Sequence, residues 1–178
     1  MDEEAEESTK PARKSKVPLP FVLITRKKWG ATAGETPKNQ RLKYPANFVR
    51  FVETTTTTEG YDDCSEYMRE VQKFRINTGD TDIPYNFVIG PDNVAYEGLG
   101  WKMDVGPGRG LKLKYLTGDC VDIAFIGSLE EGFMPTSEMF KVAIDIIKYG
   151  LEMNYISPTY LQIPIDGWRP SYFLKPHR

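Results

Sequence analysis

Residues 86–98, NFVIGPDNVAYEG, restrict the fold more than any other part of the chain. Residues 87–89 and 94–96 are short runs of β-forming residues. Between them stand Gly90, Pro91, Asp92 and Asn93, where proline fixes φ and asparagine tolerates the left-handed region, so the segment reads as a hairpin. A lone hairpin is marginal in water, and further strands must complete a sheet. Three other runs qualify: residues 21–24, residues 48–52 within NFVRFVE, and residues 121–126 within VDIAFIG. Arg50, set among apolar neighbours in the second of these, marks the side of that strand that meets a polar group. After the first run, Trp29-Gly30-Ala31 reads as a turn with a large anchor.

Two helical patterns accompany the strands. Within residues 64–75, Tyr67, Met68, Val71 and Phe74 form one apolar stripe, while Glu66, Arg69, Glu70 and Lys73 form a solvated face. The second pattern begins after Pro135 with Thr136 or Ser137 as N-cap, and Met139, Val142, Ala143, Ile146, Ile147 and Leu151 make its inner face. Gly150 costs that helix about 1 kcal/mol relative to alanine, so a tertiary contact is expected there. The sum is an α/β (α+β) fold: a mixed central β-sheet flanked by helices, in one domain.

The length of 178 residues suits a single domain, read as 17–178 after a disordered leader at 1–16 that holds almost nothing apolar. A formal charge of −2 gives no reason to expect nucleic acid as a partner. No stretch approaches the roughly 20 apolar residues of a membrane span, and the leader MDEEAEESTKPARKSK lacks the apolar core of a secretory signal. Two locations stand: cytoplasmic as written, or the extracellular domain of a longer membrane-bound form. Cys64 and Cys120 are in no C-x-x-C pair, which excludes a zinc knuckle and leaves either two buried thiols or one bridge.

The order of these segments resembles the peptidoglycan recognition proteins of animals, which are similar in turn to zinc-dependent N-acetylmuramoyl-L-alanine amidases. ITRKKWGA, MREVQKF, DIPYNFVIGPDNVAYEGLGW, DIAFIG and AIDIIKYGLEMNYISPTY carry the resemblance, from Ile24 to Trp168. The third of these is the most specific, matching the family pattern D-I-G-Y-N-F-x-I-G-x-D-G-x-x-Y-E-G-x-G-W at most positions. The resemblance implies a groove for peptidoglycan fragments and, in catalytic members, three zinc ligands.

Here those ligand positions fall on Val52, Pro107 and Ile165, none of which binds a metal. Catalytic members end the second strand in V-I-I-H-H-T, and the aligned residues are Val49-Arg50-Phe51-Val52-Glu53-Thr54. The residue census agrees independently. A catalytic zinc needs three protein ligands and an open position, and the only histidine of the chain is His177. No cofactor and no enzymatic activity are therefore expected; an enzyme of another kind on the same scaffold is the remoter alternative.

The resemblance further implies that Thr54, Tyr85, Trp101 and Arg109 line whatever ligand site remains. Tyr85 matches the tyrosine that assists the metal in active members, and without metal it either packs or touches ligand. The threonine run 54–58 is either a polar floor or a solvated loop. Cys64 resembles the first half of the family's short disulfide, whose partner position is Thr81 here. Asp80 stands where members that prefer diaminopimelate-type peptidoglycan carry tryptophan, and an acid there repels stem-peptide carboxylates. The segment 102–119, with Arg109, Lys112 and Lys114, is longer than the family's wall and either covers an anion, blocks the groove or is simply solvated. Two kinds of partner follow: another recognition protein or signalling protein, and peptidoglycan fragments.

Overall fold

The computed structural model describes residues 18–33, 44–101 and 119–163. Six strands form one sheet: β1 (Leu23–Ile24), β2 (Ala46–Glu53), β3 (Phe87–Ile89), β4 (Ala95–Glu97), β5 (Cys120–Phe125) and β6 (Ile156–Ile163). Three α-helices accompany them: α1 (Arg26–Trp29), α2 (Cys64–Asn77) and α3 (Ser137–Glu152). The sheet order is β1-β4-β3-β5-β2-β6. Only β3 and β4 pair antiparallel, as the hairpin requires; every other neighbour is parallel. The expected mixed sheet with flanking helices is what forms.

β5 lies at the centre and is buried along its whole length, because helices cover both faces of the sheet around it. Alternation along the strands then divides the core. Val49, Phe51, Phe87, Ile89, Val121, Ile123 and Phe125 face α3, which presents Met139, Ala143, Ile146 and Ile147. Val88, Ala124 and Ile126 turn to the other face and pack with Trp29 of α1 and Tyr67 and Met68 of α2. Arg50 belongs to this α2 face, and the polar group expected opposite it is Asp122, its register partner on β5.

Several local expectations hold, and others need correction. Thr136 caps α3 by accepting from the Met139 amide at 3.1 Å. A Cβ on Gly150 would lie 2.6 Å from Ile156 Cδ1 and 2.7 Å from Trp101 Cη2, so the glycine admits the tertiary contact its cost implied. Asn93 takes the left-handed conformation in the hairpin turn, with φ of +62°. The stripe on α2 is rotated from the expected one. Gln72 is buried and Phe74 is 63% exposed, because Gln72 donates to Asp82 Oδ1 at 2.9 Å and accepts from the Thr32 amide at 2.9 Å. Polar burial with full pairing overrode the apolar period.

The turn expected at 29–31 is preceded by the helical turn α1, capped by Thr25, with Trp29 fully buried and its Nε1 donating to Glu97 O at 2.8 Å. β6 has no counterpart in the sequence reading. Its Pro158 argues against a strand, yet β6 is an edge strand, and the register to β2 shifts between Ala46 and Phe48 around that stretch. Cys64 and Cys120 are both buried thiols, not bridged to each other. The expected leader at 1–16 and the long segment after Trp101 lie outside the described residues. Among the described residues no helix is long and apolar enough to cross a membrane.

Candidate functional site

The most specific sequence motif builds the frame of the site. Asp82 accepts from Arg26, Gln72 and its neighbour amide Ile83 N, tying α1 and α2 to the approach to β3. Asn86 is fully buried; its Nδ2 donates to Gly100 O and its Oδ1 accepts from the Asp122 amide, both at 2.8 Å. A Cβ on Gly98 would stand 2.1 Å from Tyr85 O, so the backbone itself occupies that place. These identities hold backbone in position before any ligand is considered.

On the α2 face, β2 ends in a hydroxyl network. Tyr67 Oη donates to Thr54 Oγ1 at 2.7 Å, and the Gly127 amide donates to the same oxygen at 3.2 Å. Thr54 Oγ1 in turn donates to Thr56 O at 3.0 Å. Thr56 Oγ1 lies 2.7 Å from Tyr67 Oη. Thr54 is buried, Thr55 and Thr56 are exposed, and Thr55 carries a left-handed φ of +67°. The threonine run is thus neither a continuous floor nor a purely solvated loop: its first member closes the strand end against α2, and the next two lie at the surface.

Tyr85 is buried on the same face, its Oη accepting from Arg75 Nη2 at 3.2 Å, while Arg75 Nη1 lies 3.7 Å from Asp80 Oδ2. Burial pushes the Tyr85 phenol above its ordinary pKa, against the lowering influence of the Arg75 charge and hydrogen bond. Burial also raises Tyr67, against the lowering influence of its hydrogen bonds with Thr54 and Thr56. Neither phenol is a base near neutrality. Between these groups runs a buried ion pair: Arg50 Nε donates to Asp122 Oδ1 at 2.9 Å, Arg50 Nη2 bonds Asp122 Oδ2, and Cys120 Sγ donates to Asp122 Oδ1 at 3.4 Å.

Val52 lies on this face too, half-buried and packed against the cluster that contains Tyr67, Tyr85 and Ala124. Zinc does not fit there, since an aliphatic side chain in an apolar cluster offers no donor atom. Among the described residues no three His, Cys, Asp or Glu side chains stand together as a metal-binding group. Pro107, Ile165 and Arg109 lie outside the described residues.

Of the expected ligand residues, Thr54 and Tyr85 share the α2 face. Trp101 does not, which corrects the expectation. Its ring packs on Phe87 at 4.8 Å and Tyr155 at 5.1 Å, and it lies over Gly150 on the α3 face. Phe87, on which Trp101 packs, faces α3, whereas Tyr85, which precedes β3, lies in the opposite cluster, against the alternation a regular strand would continue. Sequence reasoning missed Tyr67, read only as helix core, and Asp122. An aspartate inside the apolar run VDIAFIG, paired with an arginine inside NFVRFVE, was the available signal.

The fold defines a class, the peptidoglycan-recognition and amidase-like domains. The comparisons place the chain within it. It is 30% identical over 152 residues to peptidoglycan-recognition protein 2 of Holotrichia diomphalia, covering 84% of this chain and 77% of that one. It is 28% identical over 144 residues to peptidoglycan recognition protein 4 of Mus musculus, covering 80% of this chain and 36% of that protein, so it spans about a third of the mouse relative. The crystal structure of human PGRP-IβC in complex with glycosamyl muramyl pentapeptide superposes with a TM-score of 0.67 at 29% identity, over 80% of this chain and 82% of that one. No family profile matches the chain. This chain belongs to the peptidoglycan recognition protein family.

Proposed function

We propose that this chain is a non-catalytic peptidoglycan recognition domain that serves innate immune signalling as a receptor, co-receptor or modulator, working through protein contacts with weak or no muropeptide binding. One observation carries this reading: on the α2 face, the groups that would act on or hold a ligand are already committed to the protein. Val52 fills the first ligand position with hydrocarbon. Thr54 bonds Tyr67, Gly127 and Thr56, and Tyr85 bonds Arg75. Without zinc there is no polarised water and no Lewis acid for an amide carbonyl. Among the described residues no histidine stands beside the hydroxyls to replace it; the chain's one histidine, His177, lies outside them.

The partner on this reading is another recognition protein or a signalling protein. A second reading, a muropeptide receptor with a working groove, is favoured by the human relative that holds a muramyl pentapeptide and by the placement of Thr54, Tyr85 and α2 on one face here. Pull-down of the full chain on insoluble peptidoglycan, beside a known binder, separates the two. Retention equal to the binder's, or a calorimetric Kd near micromolar, about −8 kcal/mol, replaces the protein-contact reading with the receptor reading. Muropeptide release in an amidase assay with added zinc overturns both.

A further inference from the structure

We infer that Thr56 is a phosphoacceptor for an acid-directed serine/threonine kinase, and that its modification rewires the hydroxyl network that ties the end of β2 to α2. The inference is independent of whether the groove binds muropeptide.

Of the five threonines at 54–58, position and burial select one. Thr54 is buried, Thr57 and Thr58 are half-buried, and Thr57 Oγ1 accepts from the Glu59 amide at 3.4 Å. Thr55 and Thr56 are exposed, in the irregular connection between β2 and α2. Thr56 alone in the run has a carboxylate three residues on, Glu59, and Asp62 and Asp63 follow in the same exposed loop. A kinase whose substrate groove is basic reads this pattern, and the exposed loop, held to α2 at Thr56 through the Tyr67 hydroxyl, enters that groove when that contact opens.

The proton count gives the modification its consequence. Each hydroxyl has one proton to donate. The Thr54 proton goes to Thr56 O, and the Tyr67 proton goes to Thr54 Oγ1, so the 2.7 Å contact between Thr56 and Tyr67 is donated by Thr56. In the transfer, Thr56 Oγ1 attacks the γ-phosphorus of a nucleoside triphosphate. The new O–P bond forms as the bond to the departing diphosphate breaks, and the hydroxyl proton goes to the kinase base. The phosphothreonine ester oxygen then has no proton to give. The dianionic phosphate is instead a strong acceptor that draws the Tyr67 proton from Thr54. Thr54 loses its tie to α2, beside the Thr54 amide bond to Phe125 O and the Gly127 amide bond to Thr54 Oγ1.

The test incubates the folded full chain with ATP and an acid-directed kinase, maps the phosphate by mass spectrometry, and follows backbone amide exchange. One phosphoryl group on Thr56 is expected, absent in Thr56→Val, entering about tenfold more slowly in Glu59→Gln, the loss of roughly one charge contact. In the phosphorylated chain the Thr54 and Gly127 amides should exchange about tenfold faster. Tyr67→Phe should show that faster exchange without phosphate. No incorporation into the folded chain, incorporation at Thr57 or Thr58 in its place, or a hexosamine on Thr56 of the protein from its native source overturns the assignment. Phosphate on Thr56 with unchanged amide exchange overturns the coupling.

Discussion

Replacing Asp122 by alanine tests the buried ion pair of the α2 face. Asp122 is 1% exposed and Arg50 is 7% exposed, so neither charge can turn to water when its partner is lost. At about 3 Å and an effective dielectric near 20, the pair attracts by roughly 5–6 kcal/mol, and most of that only offsets desolvation of the two ions. The net worth of the intact pair is therefore small. Breaking it is another matter: Asp122→Ala removes the carboxylate that faces a buried guanidinium, at a cost of about 3–5 kcal/mol. Arg50→Met with Asp122→Leu removes both charges at similar volume and should fall within about 1 kcal/mol of the parent, or above it. Urea unfolding followed by circular dichroism gives all three stabilities. A loss below about 1 kcal/mol in Asp122→Ala refutes the reasoning, and so does a double variant as unstable as the single one.

Gly150→Ala gains about 1 kcal/mol of helix propensity but drives its methyl into Ile156 and Trp101, so a net loss of about 1 kcal/mol is expected in thermal melts. In a Trp101→Ala background the same change should become stabilising, and a double-mutant cycle reads the coupling. Trp101→Ala by itself should cost about 2–4 kcal/mol of stability and leave any residual muropeptide affinity, measured by calorimetry on the folded fraction, unchanged. Burial, and then the neighbouring Asp92, push the Cys64 thiol from its ordinary value of 9.0 to about 11, so alkylation of the native chain at neutral pH should be slow. Because the folded value is the higher one, the stability this thiol contributes is complete below about 9 and is lost as pH rises through about 11, which a pH series of urea midpoints will show. Val52→His should bind no stoichiometric zinc by metal analysis, since one ligand leaves the coordination sphere open.

The hairpin, α3 and the three apolar strands were legible in the sequence because local chemistry and tertiary structure ask for the same residues there. Pro91 and Asn93 suit the turn in any context, and Thr136 suits a cap. β6 was not legible, because Pro158 and the polar residues around it contradict a strand, and only the free outer edge beside β2 accommodates them. The rotation of α2 was hidden for a similar reason. Gln72 is buried by Thr32 and Asp82, partners 40 and 10 residues away, which no helical period reports. Of the residues expected at a ligand site, Thr54 and Tyr85 share a face, while Trp101, grouped with them by adjacency in a motif, lies on the other. Tyr85 and Trp101 both flank the hairpin outside its strands, so the alternation of the motif does not encode which face each one takes.

The strand order has a consequence for how the chain is made. β2 is the first long strand to be synthesised, yet both of its neighbours come from far downstream: β5 begins at Cys120 and β6 at Ile156. Until those residues leave the ribosome, β2 has two open edges and carries Phe48, Val49, Phe51 and Val52 with nothing to pair them. Such distant pairing folds slowly and exposes strand edges to other chains meanwhile. A ribosome that stalls before residue 156 leaves β2 bare on one side even after β5 has joined it. The nascent chain thus carries an open β2 edge until both β5 and β6 have been made, an exposure set by topology and not by any single residue.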